Sequence, residues 1–150
     1  KMETTVGDIM RKRFASLKKT DSLSKAIAVF IKNPDMVFPV VDGRGRIIGE
    51  VNQHELLKLA VPAKYVGEGH VLGPGGIKDM MQRTGKTVED LMTTNDIKVK
   101  QDTKVVNAAK IMLETEVRTL EVVDPKDKPV GFVSELDVLK YLKKRLEKEK

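Results

Sequence analysis

The chain has 150 residues, a formal charge of +6 from 28 Lys and Arg against 22 Asp and Glu, two His and no Cys. Without cysteine it has no disulfide frame, no thiol nucleophile and no Cys-bound metal, and no apolar run reaches the length of a membrane span or opens the chain as a signal peptide would. A cytoplasmic protein is expected, and the interleaving of basic with acidic residues reads as a solvated surface.

The chain opens on Thr5-Val6-Gly7-Asp8-Ile9-Met10, and a short strand is expected around Ala15-Ser16-Leu17. Leu23, Ala26, Ile27 and Phe30 fall at helical spacing after Asp21-Ser22, which supplies a helix start. Val37 to Val41 is a strand, Asp42-Gly43-Arg44-Gly45-Arg46 a tight turn, and Ile47 to Val51 an antiparallel return strand. A second helix is expected from Asn52 to about Leu59. Gly67, Gly69, Gly73, Gly75 and Gly76, with two prolines, mark a linker between Val61 and Lys86, with a helical turn expected at Ile77-Lys78-Asp79-Met80-Met81.

Then the unit returns. Thr87-Val88-Glu89-Asp90-Leu91-Met92 repeats the opening, and the same offset aligns Ala26 with Ala108, Val40-Val41-Asp42 with Val122-Val123-Asp124, and Gly49-x-Val51 with Gly131-x-Val133. Constant spacing through helices, strands and turns means two copies of one folding unit. A lone unit of about 60 residues buries too little surface for comfort, so the copies are expected to pair. The second copy adds a strand at Ile97-Lys98-Val99, a helix through Val105, Ala108, Ala109 and Met112, the strands Leu120–Val123 and Pro129–Val133, and a helix from Ser134 to about Leu142 or beyond. The expected division is repeat 1 at 1–61, linker 62–86, repeat 2 at 87–146 and a charged tail at 147–150.

The order Asp-Ile/Leu-Met, Ala-centred helix, Val-Val-Asp and Gly-x-Val-(Ser/Asn)-x-x-(Asp/Glu), written twice at one spacing, resembles the CBS (cystathionine-beta-synthase) domain. Its tandem form resembles a Bateman module. The resemblance implies an α/β fold of the α+β type, with two β-α-β-β-α units packed as a pseudo-twofold pair. It also implies a non-catalytic regulatory role, two clefts that take AMP, ADP, ATP or S-adenosylmethionine as regulatory ligands, pairing into a homodimer, and an effector protein whose identity is unknown.

Ser134 and Asp137 carry the sharpest local chemistry. Gly131 lets a ligand approach the backbone, a hydroxyl and free N–H groups at a helix start suit an anion, and a carboxylate accepts from both hydroxyls of a ribose. In the family pattern this Ser and this Asp are the phosphate- and ribose-contacting residues. The same spacing fits a capping box, so spacing alone leaves site and cap both open. The resemblance further implies that Ser134 and Asp137 work with Ala15, Asp35, Met36 and Val37 in the better cleft. The poorer cleft joins Asn52 and Glu55, which replace Ser and Asp, to Ile97, Val117 and Arg118.

Arg118 reads equally as a phosphate ligand or a surface arginine, and Arg11-Lys12-Arg13 as solvated charge with a phosphate contact open to it. His54 reads as a partly exposed helical side chain, and His70 has no second metal ligand in view. The glycines from Gly67 to Gly73 lack the spacing of a phosphate-binding loop. No metal site is expected, and the absence of Cys, of a Ser-His-Asp order and of a ligand cluster argues against an enzyme. The rival reading is a constitutive dimerisation or scaffold module with decayed clefts. Nucleic-acid binding is disfavoured, because Phe14, Phe30, Phe38, Phe132, Tyr65 and Tyr141 are few and mostly in apolar patterns.

Overall fold

The computed structural model describes residues 3–34, 37–60, 87–94 and 97–149. In chain order the elements are α1 (Val6–Ile9), β1 (Leu17–Lys18), α2 (Leu23–Lys32), β2 (Phe38–Val41), β3 (Ile47–Val51) and α3 (Gln53–Leu57), which runs into a 3₁₀ turn at Lys58–Ala60. A second 3₁₀ turn at Val88–Asp90 precedes β4 (Lys98–Lys100), α4 (Val105–Thr115), β5 (Thr119–Val123), β6 (Pro129–Ser134) and α5 (Glu135–Lys148). The last helix continues past Leu142 to Lys148. The expected linker helix at Ile77 to Met81, and His70, Tyr65 and the glycines from Gly67 to Gly76, lie outside the described residues.

Each repeat builds a three-stranded sheet of the same order, β1-β2-β3 and β4-β5-β6, its first pair parallel and its second antiparallel. The two hairpins share an irregularity: the register shifts between Val40 and Val41, and again between Val122 and Val123. The duplicated Val-Val-Asp explains it. The Asp42 carboxylate accepts from the N–H groups of Arg44 and Arg46, and Asp124 accepts from those of Lys126 and Lys128, so one side chain pins each turn. At equivalent positions, Gly45 and Asp127 take the left-handed conformation that closes such a turn, with φ of 82° and 66°.

The helices bury most of the faces their spacing predicts, but Ile27 is 39% exposed and Ala109 only half-buried, each lying at the edge of its apolar stripe. Leu23, Ala26 and Phe30 of α2 are buried, as are Val105, Ala108 and Met112 of α4, and Ser22 caps α2 by accepting from the Lys25 N–H at 3.0 Å. One core gathers Leu17, Ala26, Phe30, Phe38, Val40 and Val51, and the other Val99, Val105, Ala108, Met112, Leu120, Val122, Val133 and Val138.

The opening segment of each repeat belongs to the core of the other. The chain forms two compact units, Lys1–Phe14 with Asn95–Lys150, and Ala15–Thr94, which cut it at points other than the repeat boundaries. Val6 joins the second repeat's core and Val88 the first's, both fully buried. Backbone bonds fix the exchange: Val6 and Gly7 donate to Thr103 and Gln101, while Val88 and Glu89 donate to Asp21 and Lys19. Full burial of a valine stabilises by about 1.5–3 kcal/mol, so each exchanged segment is anchored by its side chain as well.

Candidate functional site

At the junction of β6 and α5, the strand ends on Ser134, whose extended backbone (φ −111°, ψ 168°) makes it the N-cap of α5. Its hydroxyl accepts from the Asp137 N–H at 3.2 Å, and Asp137 Oδ2 reaches back to accept from the Ser134 N–H at 2.8 Å and hydroxyl at 2.9 Å. The capping box is therefore formed. It turns the Asp137 carboxylate inward, to 7% exposure, with Oδ1 directed at the Nε of Arg11, 3.3 Å away. The Glu135 N–H donates to the carbonyl of Arg118 at 2.9 Å, which ties the entry to β5 to the same helix start.

Arg11 is held there by its backbone. Its N–H donates to the Phe132 carbonyl at 2.7 Å and its carbonyl accepts from the Phe132 N–H at 3.0 Å, while Phe14 stacks edge-on against Phe132 at 5.5 Å. Gly131 permits this approach, since a Cβ there would stand 2.5 Å from the Arg11 carbonyl oxygen and 2.9 Å from Met10 Sδ. The repeated Gly-x-Val is thus a place where a second piece of backbone lies against the strand.

The first repeat has the same scaffold with different chemistry. A Cβ at Gly49 would meet the Thr93 carbonyl oxygen at 2.9 Å, and Glu50 and Thr93 exchange two backbone bonds, so Thr93 stands where Arg11 stands in the other unit. Asn52 caps α3 by accepting from the Glu55 N–H at 2.9 Å, and Glu55 pairs with Lys58 Nζ at 3.0 Å. His54 is exposed on that helix.

Of the expected site residues, Ser134, Asp137 and, through its backbone, Arg118 come together in one unit, where Ile97 and Val117 pack half-buried against its core and the Arg118 side chain is exposed. Asn52 and Glu55 belong to the other unit with Ala15, which packs against that unit's core, and Val37, half-buried ahead of β2. Asp35 and Met36 lie outside the described residues. Arg11 as a partner of Asp137 is the residue the sequence reading missed. The basic cluster was visible in the sequence, but its carboxylate was not, because the pair spans the exchanged segment. Among the described residues, no group of three or more His, Cys, Asp or Glu could hold a metal ion, and no helix is long and apolar enough to cross a membrane.

The CBS domain model matches residues 6–61 and 88–144. CBSX1, a chloroplastic CBS domain-containing protein of Arabidopsis thaliana, is 30% identical over 148 residues, covering 91% of this chain and 63% of that protein, so the chain spans less than two thirds of its length. The CBS-pair protein CBSX2 from Arabidopsis thaliana matches with a TM-score of 0.75 at 26% identity, covering 97% of this chain and 99% of that one. CBSX2 in complex with AMP matches with a TM-score of 0.74 at 28% identity, covering 98% and 99%. The CBS domain pair of protein MJ0100, in complex with 5′-methylthioadenosine and S-adenosyl-L-methionine, shares the fold, with a TM-score of 0.70 at 24% identity and coverage of 93% and 99%. The duplicated motifs, the two equivalent sheets and the two family matches in the same register make this chain a tandem member of the CBS domain family.

Proposed function

We propose that the chain is a non-catalytic regulatory module that binds an adenosine ligand at Ser134 and Asp137. The observation that carries this reading is the inward-turned Asp137 carboxylate at the start of a 14-residue helix. Its Oδ1 is an acceptor for ribose hydroxyls, and the helix start adds an electrostatic preference for phosphate. The AMP complex of CBSX2, a structure that matches nearly the whole chain, supports adenosine as the ligand class. Asn52 and Glu55 form the weaker of the two sites, because Asn52 offers a carboxamide in place of a hydroxyl and Glu55 is drawn to Lys58.

Calorimetric titration with AMP, ADP, ATP and S-adenosylmethionine, paired with thermal melting, tests the reading. A ligand at 100 times its dissociation constant adds about 2.7 kcal/mol of stability, which for this length raises the melting midpoint by roughly 5–10 °C. Asp137→Asn, which keeps the side-chain shape and one acceptor, is expected to remove most of that shift. Midpoints unmoved by all four ligands at millimolar concentration would overturn the proposal.

Pairing of two copies belongs to the same reading. Ile31 and Leu57 of one unit are 75% and 65% exposed, and their repeat counterparts Leu113 and Leu139 are 82% and 59% exposed. Large apolar side chains left in water at matching positions of both helical faces support a homodimer. A dimer that persists while every nucleotide fails to bind would favour the scaffold reading instead.

A further inference from the structure

We infer that Phe14 is the stacking platform for the base at the Ser134–Asp137 site, the residue that makes this site favour purine over pyrimidine nucleotides. This rests on the proposed role of Asp137. Val133 points into the core of its unit, so its neighbours Phe132 and Ser134 share the opposite face of β6. Two residues along a strand span about 7 Å, so the Phe132 ring lies within reach of a base whose ribose is held at the helix start.

Phe132 itself is 1% exposed and has almost no surface to offer a ligand. Phe14 differs. It is half-buried and meets Phe132 edge to face, with ring centroids 5.5 Å apart and planes at 84°. In that geometry one ring covers at most one face of the other, so Phe14 keeps at least one face clear of Phe132 while the contact sets its tilt. The backbone positions it too, because Arg11, three residues earlier, exchanges two bonds with Phe132. An oriented, partly solvated ring beside a ribose acceptor is the surface on which a base stacks. Stacking reads the area of the base rather than its edge groups, so the platform favours the larger purine and does not tell adenine from guanine.

These rings stand apart from the cores. Among the described residues, neither Phe14 nor Phe132 belongs to the core gathered around Val133 or to that of the other unit. The second aromatic pair makes the contrast: Phe30 and Phe38 meet at nearly the same tilt, 85°, but lie inside the first repeat's core at 5% and 0% exposure. The counterpart of Phe132 in that repeat is Glu50, so no ring stands at the equivalent place on the strand leading to Asn52 and Glu55. Base stacking is thus a property of the Ser134–Asp137 site.

The test is proton NMR and calorimetry of AMP and CMP with the wild type, Phe14→Leu and Phe14→Tyr. A base stacked on a ring lies in its ring current, so the H2 and H8 resonances of bound AMP are expected to move upfield in the wild type and in Phe14→Tyr, and much less in Phe14→Leu. AMP affinity should fall roughly five- to tenfold in Phe14→Leu, the lower part of the range for losing a base–aromatic stack because leucine keeps some apolar contact, and the preference over CMP should fall with it. Phe14→Tyr should bind AMP within about twofold of the wild type, since the ring face is kept. AMP affinity unchanged in Phe14→Leu, or an upfield shift that persists there, would overturn the platform and leave the site standing. Weaker AMP binding with no upfield shift in the wild type would reduce Phe14 to packing on Phe132 and overturn it likewise. Failure of AMP to bind the wild type would overturn the site itself, and this inference with it.

Discussion

Several aspartates in this chain act on backbone N–H groups, and their acidity records it. The Arg46 and Arg44 N–H groups and the Arg46 charge hold the Asp42 carboxyl below its ordinary value of 3.8 against partial desolvation. The Thr5 N–H and hydroxyl do the same for Asp8. For Asp21 burial is the largest single influence and pushes upward, but the Lys18 N–H and the Lys25 ammonium together outweigh it, and the net direction is down. All three are therefore more acidic folded than unfolded, and the unfolded chain binds more protons at acid pH. Their stabilisation is fully present above about pH 4 and is lost as pH falls through the folded values. Urea melts between pH 6 and 3 should show a decline confined to the acid end, shallower in Asp42→Asn, which keeps the turn acceptor without the charge. A slope identical to the wild type would show that the turn contributes nothing to it.

At the scale of elements, the same motif does the same local work twice and different long-range work. Thr5 and Asp8 close the first turn of α1 by the bonds with which Thr87 and Asp90 close the 3₁₀ turn at Val88. The hairpins, their Asp-pinned turns and the capped helices follow from spacing that the sequence displays openly. The exchange of the opening segments does not, because periodicity records which face of an element is apolar and is silent on which of two near-identical cores receives it. The glycines of β3 and β6 make room for the backbone that follows each exchanged segment. Gly131→Ala forces a methyl against the Arg11 carbonyl and is expected to destabilise by about 1–3 kcal/mol, as overpacking does. Gly43→Ala, with no atom within 4 Å of the new Cβ, should fall within roughly 0.5 kcal/mol of the wild type. Denaturant melts of the two variants give the comparison, and equal stability would remove the steric account of the repeated Gly-x-Val.

At the scale of the whole molecule, exposed apolar residues recur in both units at equivalent helical positions, and α5 adds the exposed Leu142 and Leu146. In solution, light scattering is expected to give twice the 16.8 kDa chain mass for the wild type and the single-chain mass for Leu113→Glu/Leu139→Glu, since a carboxylate buried in an apolar interface is strongly disfavoured. A wild-type monomer would leave those side chains in need of another explanation. The sequence by itself determined the duplication, the elements of each copy, the turn chemistry and the helix-start pairs Ser134/Asp137 and Asn52/Glu55, because each is written in residues close together along the chain. Only the tertiary structure decided that Val6 and Val88 exchange cores and that Arg11 comes to rest on Asp137. Those contacts join residues far apart in sequence, selected by close packing at Gly131 and by backbone pairing that no local pattern encodes.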